Sequence, residues 1–312
     1  MDGIYIAGPT ASGKSGLAVS LALKLGGEVI NADSMQIYSE LRIGTARPGP
    51  DEMMGVPHHL FGFVPPFLGY SAAQYAPEAL KTAQEVRKRG NIPIFTGGTG
   101  LYMDALLYEM DFGGTAADEG LRSELKNYAE QNGREALHRR LAELDPESAA
   151  RLNPNDVKRV IRAIEVYKLT GGGIGEYSVC RKKRQDFRPV LIGLYSEDRQ
   201  FLYDRINART DLMLQEGLPE EARTVLEKWP QSQAAKAIGY KEFAGCFSGE
   251  ITFEQAGELI KRNTRRYAKR QLTWFRRERD VIWVEKPEFD SEEDILLFML
   301  EKCREKQMPL KI

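Results

Sequence analysis

Hydrophobic residues along the chain fall into two kinds of run. Short unbroken ones, Ile4-Tyr5-Ile6-Ala7, the stretch 28–32, Ile92-Pro93-Ile94-Phe95 and the stretch 189–195, suit strands buried on both faces. Between them the spacing changes to helical. One such segment runs through residues 17–25 and is closed by Gly26-Gly27; another covers residues 72–89 and ends at Gly90. Strands alternating with helices predict a doubly wound parallel α/β sheet. From about residue 113 to 187 the strand signal vanishes and polar helices take over, broken at Gly133, Pro146, Pro154 and Gly171-Gly172-Gly173. The expected organisation is therefore a core domain built from residues 1–112 and 188–312, interrupted by a mostly helical insertion at 113–187. Helices fill most of the chain beyond residue 195, with a late strand at 281–284.

Composition narrows the setting. No apolar run approaches the roughly 20 residues that span a bilayer, and the first strand begins too early to leave room for a signal peptide. Cys180, Cys246 and Cys303 are widely spaced and odd in number, which points to neither a disulfide framework nor a zinc cluster. A cytoplasmic protein without membrane contact is expected. The net charge of −1 argues weakly against a nucleic-acid partner, but its distribution matters more. Residues 261–279 are heavily cationic and carry Tyr267, Trp274 and Phe275; Arg181-Lys182-Lys183-Arg184 is a second basic block. An arginine-rich helix is most often a solvated face, and aromatics at near-helical spacing are most often core.

The sharpest chemical signal lies between the first strand and the first helix. Gly8-Pro9-Thr10-Ala11-Ser12-Gly13-Lys14-Ser15 fits G-x-x-x-x-G-K-[ST], a loop whose backbone N–H groups and helix dipole cradle phosphate oxygens. The fold expectation thereby becomes a P-loop-type sheet, with Ser15 in the hydroxyl position that holds Mg2+. Asp33, at the tip of the second strand, is open to three readings: a magnesium-holding acid, a general base, or a cap for the following turn. The loop Thr96-Gly97-Gly98-Thr99-Gly100 falls at the same edge of the sheet, where ligands of such folds sit. His58-His59 reads as a loop or packing pair, since adjacent histidines do not easily face one metal.

Several longer segments resemble one family closely. Asp33-Ser34-Met35-Gln36-Ile37-Tyr38, Ile43-Gly44-Thr45-Ala46-Arg47-Pro48, Val56-Pro57-His58-His59-Leu60 and Gly97-Gly98-Thr99-Gly100-Leu101-Tyr102 are similar to segments of the tRNA dimethylallyltransferases, in the family's order. So are Arg162-Ala163-Ile164-Glu165-Val166-Tyr167, Arg209-Thr210-Asp211, Ala237-Ile238-Gly239-Tyr240-Lys241-Glu242 and the segment 267–276. The likeness spans nearly the whole chain. It departs at Gly172-Gly173-Ile174-Gly175, where the family has a basic residue and a proline, and it lacks the zinc finger of some relatives.

The resemblance implies transfer of a dimethylallyl group from dimethylallyl diphosphate to N6 of the adenine at tRNA position 37, beside the anticodon. It implies a Mg2+-dependent monomer whose loop 8–15 and Arg209 hold the diphosphate, with Asp33 as base and Thr99 positioning base or donor. It further implies tRNA contacts from Asp33, Ser34, Met35, Gln36 and Thr99, and from Arg122, Lys158, Arg159 and Arg162 of the insertion, which would grip the anticodon stem-loop. The basic helix would meet the tRNA backbone. Competing readings are a P-loop small-molecule kinase, an adenylate isopentenyltransferase, and an RNA-binding protein with a vestigial phosphate loop.

Overall fold

The computed structural model of the protein describes residues 2–110, 118–172 and 182–306. Gly173, Ile174, Gly175, Cys180 and Arg181 lie outside these residues, as does the expected boundary between 112 and 113. The chain divides into two compact units, Met1–Leu107 with Arg184–Ile312, and Tyr108–Lys183. The first unit resumes before residue 188 because Arg184 N–H already bonds Leu107 O at 2.9 Å and the Phe187 ring packs 5.4 Å from Phe95.

The first unit is organised by one sheet. Its strands are β1 (Ile4–Ala7), β2 (Gly27–Asn31), β3 (His58–His59), β4 (Ile92–Gly97), β5 (Val190–Tyr195) and β6 (Ile282–Glu285). They lie in the order β3-β2-β4-β1-β5-β6, every neighbouring pair parallel. Helices α1 (Lys14–Leu25), α2 (Pro50–Met53), α3 (Ala72–Lys88) and α4 (Gly100–Leu107) belong to its first half. The second unit holds α5 (Glu119–Asn132), α6 (Arg134–Leu144), α7 (Pro146–Arg151) and α8 (Val157–Thr170). After β5 come α9 (Arg199–Gln215), α10 (Leu218–Lys228), α11 (Ala244–Phe247) and α12 (Phe253–Phe275), and after β6 comes α13 (Glu292–Glu305). Among the described residues no helix is long and apolar enough to cross a membrane.

Alternation within the strands decides which face each residue covers. Ile4 and Ile6 join Leu17 and Leu21 of α1 and Ile295 and Met299 of α13 in one cluster. Tyr5 points the other way, its ring stacked 6.1 Å from Phe95. Beyond it, the Tyr75 and Tyr102 rings of α3 and α4 stack at 3.8 Å, and the Tyr75 hydroxyl donates to Asn31 O. A second cluster, with Ile37, Tyr38, Met213, Leu218, Tyr240 and Ile260, ties the segment after β2 to α9, α10 and α12.

Strand β3 carries no hydrophobic pattern, and nothing in the sequence marked it as a strand. It forms because Val29 N–H bonds Pro57 O at 2.9 Å on the open edge of β2. The two histidines find separate partners. His59 Nε2 lies 2.6 Å from Glu28, and His58 Nδ1 lies 2.8 Å from Val56 O. Hydrogen bonds from Arg89, then Asn91 and His59, hold the buried Glu28 carboxyl down at about 2.

In the second unit, Leu125, Leu137, Leu141, Val160 and Ile164 form the apolar centre. Beside it lies one fully buried acid, Glu165. It accepts from the Asp118 N–H at 2.8 Å and pairs with Arg122 and Arg162 at 2.8 and 2.6 Å. Burial alone would raise the Glu165 carboxyl, but the bonds from Arg122, Arg162 and the Asp118 N–H outweigh it and hold it low. Because the folded value is depressed, the contribution to stability is present at neutral pH and is lost as acid protonates Glu165. Breaking a fully buried pair costs about 3–5 kcal/mol. The Arg122 and Arg162 side chains are 36% and 28% exposed, so Glu165→Ala is expected to destabilise this unit by about 2–3 kcal/mol at neutral pH, and by less near pH 3. Urea denaturation at the two pH values measures it; an equal loss at both would rule out the charge as the cause.

Candidate active site

The phosphate loop leaves the carboxyl end of β1, a central strand, and enters α1 at Lys14. Gly13 adopts φ +85°, the left-handed region that glycine enters without steric cost. Ala11 sits at φ +63° despite its side chain, and Arg205 Nε holds it there by donating to Ala11 O at 2.8 Å. Beneath the loop lies a polar cavity of about 50 Å³. It is lined by Thr10, Lys14 and Ser15, by Asp33 and Gln36 after β2, by Thr96 and Gly97 at the end of β4, and by Arg209 of α9. Arg209 also hydrogen-bonds the Thr10 hydroxyl.

The two carboxylate oxygens of Asp33 have different surroundings. Oδ1 accepts from Met35 N–H at 2.9 Å, the turn-capping bond expected of a strand-end aspartate. Oδ2 lies beside Gly98, where a β-carbon would come within 3.3 Å of it. Ser34 N–H donates to Thr99 Oγ1 at 2.9 Å, and the Thr99 hydroxyl donates to Ser34 Oγ at 3.1 Å. Gln36 Nε2 donates to Thr45 O and Ala46 O at 3.0 and 2.9 Å, so its amide fixes the neighbouring turn. Met35 is half-buried against the second apolar cluster.

Thus Asp33, Ser34, Gln36, Thr99, Arg209 and the loop 8–15 meet at one end of the sheet. Arg122, Lys158, Arg159 and Arg162 belong to the other unit. Two of these four carry a structural duty that their charge did not disclose: Arg122 and Arg162 are spent on Glu165. Arg159 pairs with Asp156 at 3.2 Å, and Lys158 is exposed. The second basic block is likewise partly engaged, Lys182 with Glu109 and Arg184 with Asp186.

The cationic segment is divided in the same way. Lys261 pairs with Asp211 at 2.7 Å, and Arg265 donates to Asn207 Oδ1 at 2.7 Å. Arg262, Arg266, Lys269 and Arg270 are exposed, at the three- and four-residue spacing of one helix face. Phe275 is core, while Trp274 packs under Gly100.

Sequence reasoning missed four residues at this end of the sheet. Gln271 of α12 is 3% exposed; its Oε1 accepts from Thr10 N–H at 2.9 Å and its Nε2 donates to Gly98 O at 2.8 Å. The Tyr267 hydroxyl faces Thr99 and Gln271, and burial, with the Asp33 charge nearby, raises it well above the usual phenol range. Arg205 and Lys286 add cations near the loop. A β-carbon on Gly13 would come within 2.9 Å of Lys286 Nζ. A signal for Gln271 did exist: it interrupts the buried stripe formed by Ala268 and Phe275 on α12.

Electrostatics around the loop are dominated by loss of water. Burial lowers the Lys14 ammonium to about 8, with Arg209 lowering it further and Asp33 opposing. Burial also lowers Arg209 to about 10, with Asp33 opposing and Arg205 adding to the fall. Cations held in this way are poised for an anion. A parallel sheet bearing such a loop, two desolvated cations and an adjacent carboxylate defines a P-loop-fold enzyme acting on a phosphorylated substrate.

Comparison with known proteins narrows the class. The IPP transferase family matches residues 36–278. A tRNA dimethylallyltransferase of Geobacillus kaustophilus is 48% identical over 279 residues, 89% of this chain and 88% of that one. The crystal structure of a full-length tRNA isopentenylpyrophosphate transferase from Bacillus halodurans matches with a TM-score of 0.71 at 42% identity, over 97% of each chain. A eukaryotic dimethylallyltransferase captured acting on tRNA gives a TM-score of 0.80 at 28% identity, covering 99% of this chain and 81% of that one. The chain belongs to the IPP transferase family, among the tRNA dimethylallyltransferases.

A lowered Lys14 has a measurable consequence. Below about pH 8 the unliganded loop holds a full positive charge, and above it that charge is lost. Affinity for inorganic diphosphate, followed by calorimetry, is expected to fall as pH rises through about 8 in the wild type. Lys14→Arg, whose guanidinium stays charged, should not show that limb. An identical limb in both proteins would mean that another group titrates.

Proposed function

We propose that the protein transfers the dimethylallyl group of dimethylallyl diphosphate to N6 of the adenosine at tRNA position 37, releasing diphosphate. One observation carries this reading: phosphate-binding cations and a strand-end carboxylate line the same polar cavity. The N–H groups of the loop 8–15 that are not bonded within the protein, as those of Thr10 and Ser12 are, bind the diphosphate of the donor together with Lys14 and Arg209. Their fixed, partly desolvated charges meet the charge that develops on it as it leaves. The N6 lone pair attacks C1 of the dimethylallyl group, the C1–O bond to diphosphate breaks, and the N6 proton passes to Asp33. The Met35 N–H holds Asp33 Oδ1 and so aims Oδ2. Thr99, tied to Ser34, positions the base.

A divalent cation suits the donors present. The Ser15 and Thr96 hydroxyls are hard oxygen ligands at the cavity. Thr96 Oγ1 is buried and has no hydrogen-bond partner among the described residues. Among the described residues no group of three or more His, Cys, Asp or Glu stands ready to hold a metal unaided, so the ion would share the donor's phosphate oxygens. Ser15 and Thr96 would hold Mg2+, which would neutralise leaving-group charge.

A flipped anticodon-loop base is reached at a cost of a few kcal/mol in unstacking. Exposed cations offset that cost by holding the RNA backbone. In this reading they come from Lys158 and Arg159 on α8 of the insertion, and from Arg266, Lys269 and Arg270 on α12.

Incubation with labelled dimethylallyl diphosphate, Mg2+ and either tRNA or AMP tests the reaction: label is expected in tRNA alone. Label in AMP would favour a free-nucleotide acceptor, and ADP formed from ATP in step with product would favour a kinase. Asp33→Asn is expected to lower the transfer rate by at least about 100-fold, as loss of a general base does, with tRNA binding within a few-fold of wild type. Normal turnover by the variant would remove Asp33 from the role.

The helix face is tested by salt. Replacing Arg266, Lys269 and Arg270 together by Gln keeps helix propensity and should flatten log K against log salt by about 0.7–0.9 per charge removed. Transfer to a saturating anticodon stem-loop should survive. An unchanged slope would assign the RNA to the insertion alone.

A further inference from the structure

One side chain joins the two glycine-rich loops. Gln271 sits on α12, far along the sequence from both, and is almost wholly buried. Both of its functional atoms bond backbone, Oε1 accepting from Thr10 N–H of the phosphate loop at 2.9 Å and Nε2 donating to Gly98 O of the loop after β4 at 2.8 Å, with the Tyr267 hydroxyl beside the amide. A β-carbon on Gly98 would lie 2.1 Å from Nε2, so this approach requires glycine there. The neighbouring turns of α12 repeat the contact. Tyr267 faces Thr99, and a β-carbon on Gly100 would lie 2.3 Å from the Trp274 ring. An uncharged group that accepts at one end and donates at the other is an amide, and among long side chains only glutamine supplies it. A carboxylate would repel Gly98 O, and an ammonium could not accept from Thr10 N–H.

The two loops have different tasks under the proposed function, on which this inference rests. Thr10 belongs to the segment that binds the donor, while Gly98 and Thr99 flank Asp33 on the acceptor side. We propose that Gln271 is a positioning residue for the transfer, fixing the separation and orientation of the diphosphate loop against the acceptor loop so that C1 of the donor meets N6. It touches neither reacting atom. Each loop keeps its own ligand-binding groups without Gln271, so what depends on it is alignment. Misplacement by about 1 Å is worth roughly 100-fold in rate.

The test uses the full-length protein with Gln271→Glu and Gln271→Met. In the Gln271→Glu variant the ionised carboxylate can accept from Thr10 N–H but cannot donate to Gly98 O. Once that carboxyl is protonated, its O–H can donate to Gly98 O while the other oxygen accepts from Thr10 N–H, restoring both bonds. Single-turnover transfer from labelled dimethylallyl diphosphate to an anticodon stem-loop is therefore expected to fall by about 100-fold in both variants at pH 8. Donor KM and stem-loop Kd should stay within a few-fold of wild type. The rate of Gln271→Glu divided by the wild-type rate at the same pH should climb as pH falls, and that of Gln271→Met should not. Dividing by wild type removes any pH dependence the proteins share, and thermal melting is followed alongside.

Rates near wild type at every pH would overturn the proposal. So would a loss that appears only in donor KM, or one that follows melting temperature equally in both variants with no recovery in acid. A wild-type protein that fails to label tRNA would sink the functional reading itself. A wild-type protein that labels tRNA while both variants match it would sink only the role of Gln271.

Discussion

Two cations are held largely out of water beside a single carboxylate, and much of the first unit exists to keep them there. Lys14 and Arg209 come from helices on opposite sides of the insertion in sequence, and burial costs each part of its preference for charge. Asp33 offsets some of that cost without pairing either cation in a direct bond. Such a cluster is stable only in a rigid frame, since a mobile lysine or arginine would turn outward to solvent. The frame is supplied by β1 at the centre of the sheet and by the apolar cluster that anchors α9 and α12.

The same frame sets where the reacting groups stand. Loop 8–15, the turn after Asp33 and the loop 96–100 project from the carboxyl ends of three adjacent parallel strands, β2, β4 and β1. Backbone pairing sets their spacing to within the pitch of a sheet. Finer adjustment falls to side chains that bond backbone: Gln36 to Thr45 O and Ala46 O, Arg205 to Ala11 O, and Gln271 to both glycine-rich loops. Polar contacts of this kind are unforgiving, because a half-satisfied buried amide is worse than an apolar one.

What was legible in the sequence follows the range of the forces involved. Strands β1, β4 and β5 announce themselves because burial on both faces demands an unbroken apolar run. The phosphate loop does so because its glycines and lysine are adjacent in sequence. Strand β3 did not, being two histidines recruited by a free edge. The partners of Gln271 and Tyr267 lie far away along the chain, so local spacing shows Gln271 only as a polar break in the buried stripe of α12 and does not disclose what either residue bonds. In the insertion, the resemblance names Arg122 and Arg162 for tRNA contact but does not disclose their ion pairs with Glu165. The buried Glu165, three residues beyond Arg162 and one turn along the same helix, could have warned of it.

The order of strands bears on how the protein is made. β1 emerges first from the ribosome, yet one of its two neighbours, β5, follows the whole insertion, and α12 comes later still. The nascent amino-terminal part can pair β1 with β4 and β4 with β2, but it exposes the other edge of β1 until the insertion has been made and β5 follows. Contacts so distant in sequence make folding slow, and an open strand edge invites mispairing meanwhile. A phosphate loop made early therefore stays without Arg209 and Gln271 until α9 and α12 follow, so translation halted before β5 leaves the loop without the cation and the amide that bond Thr10.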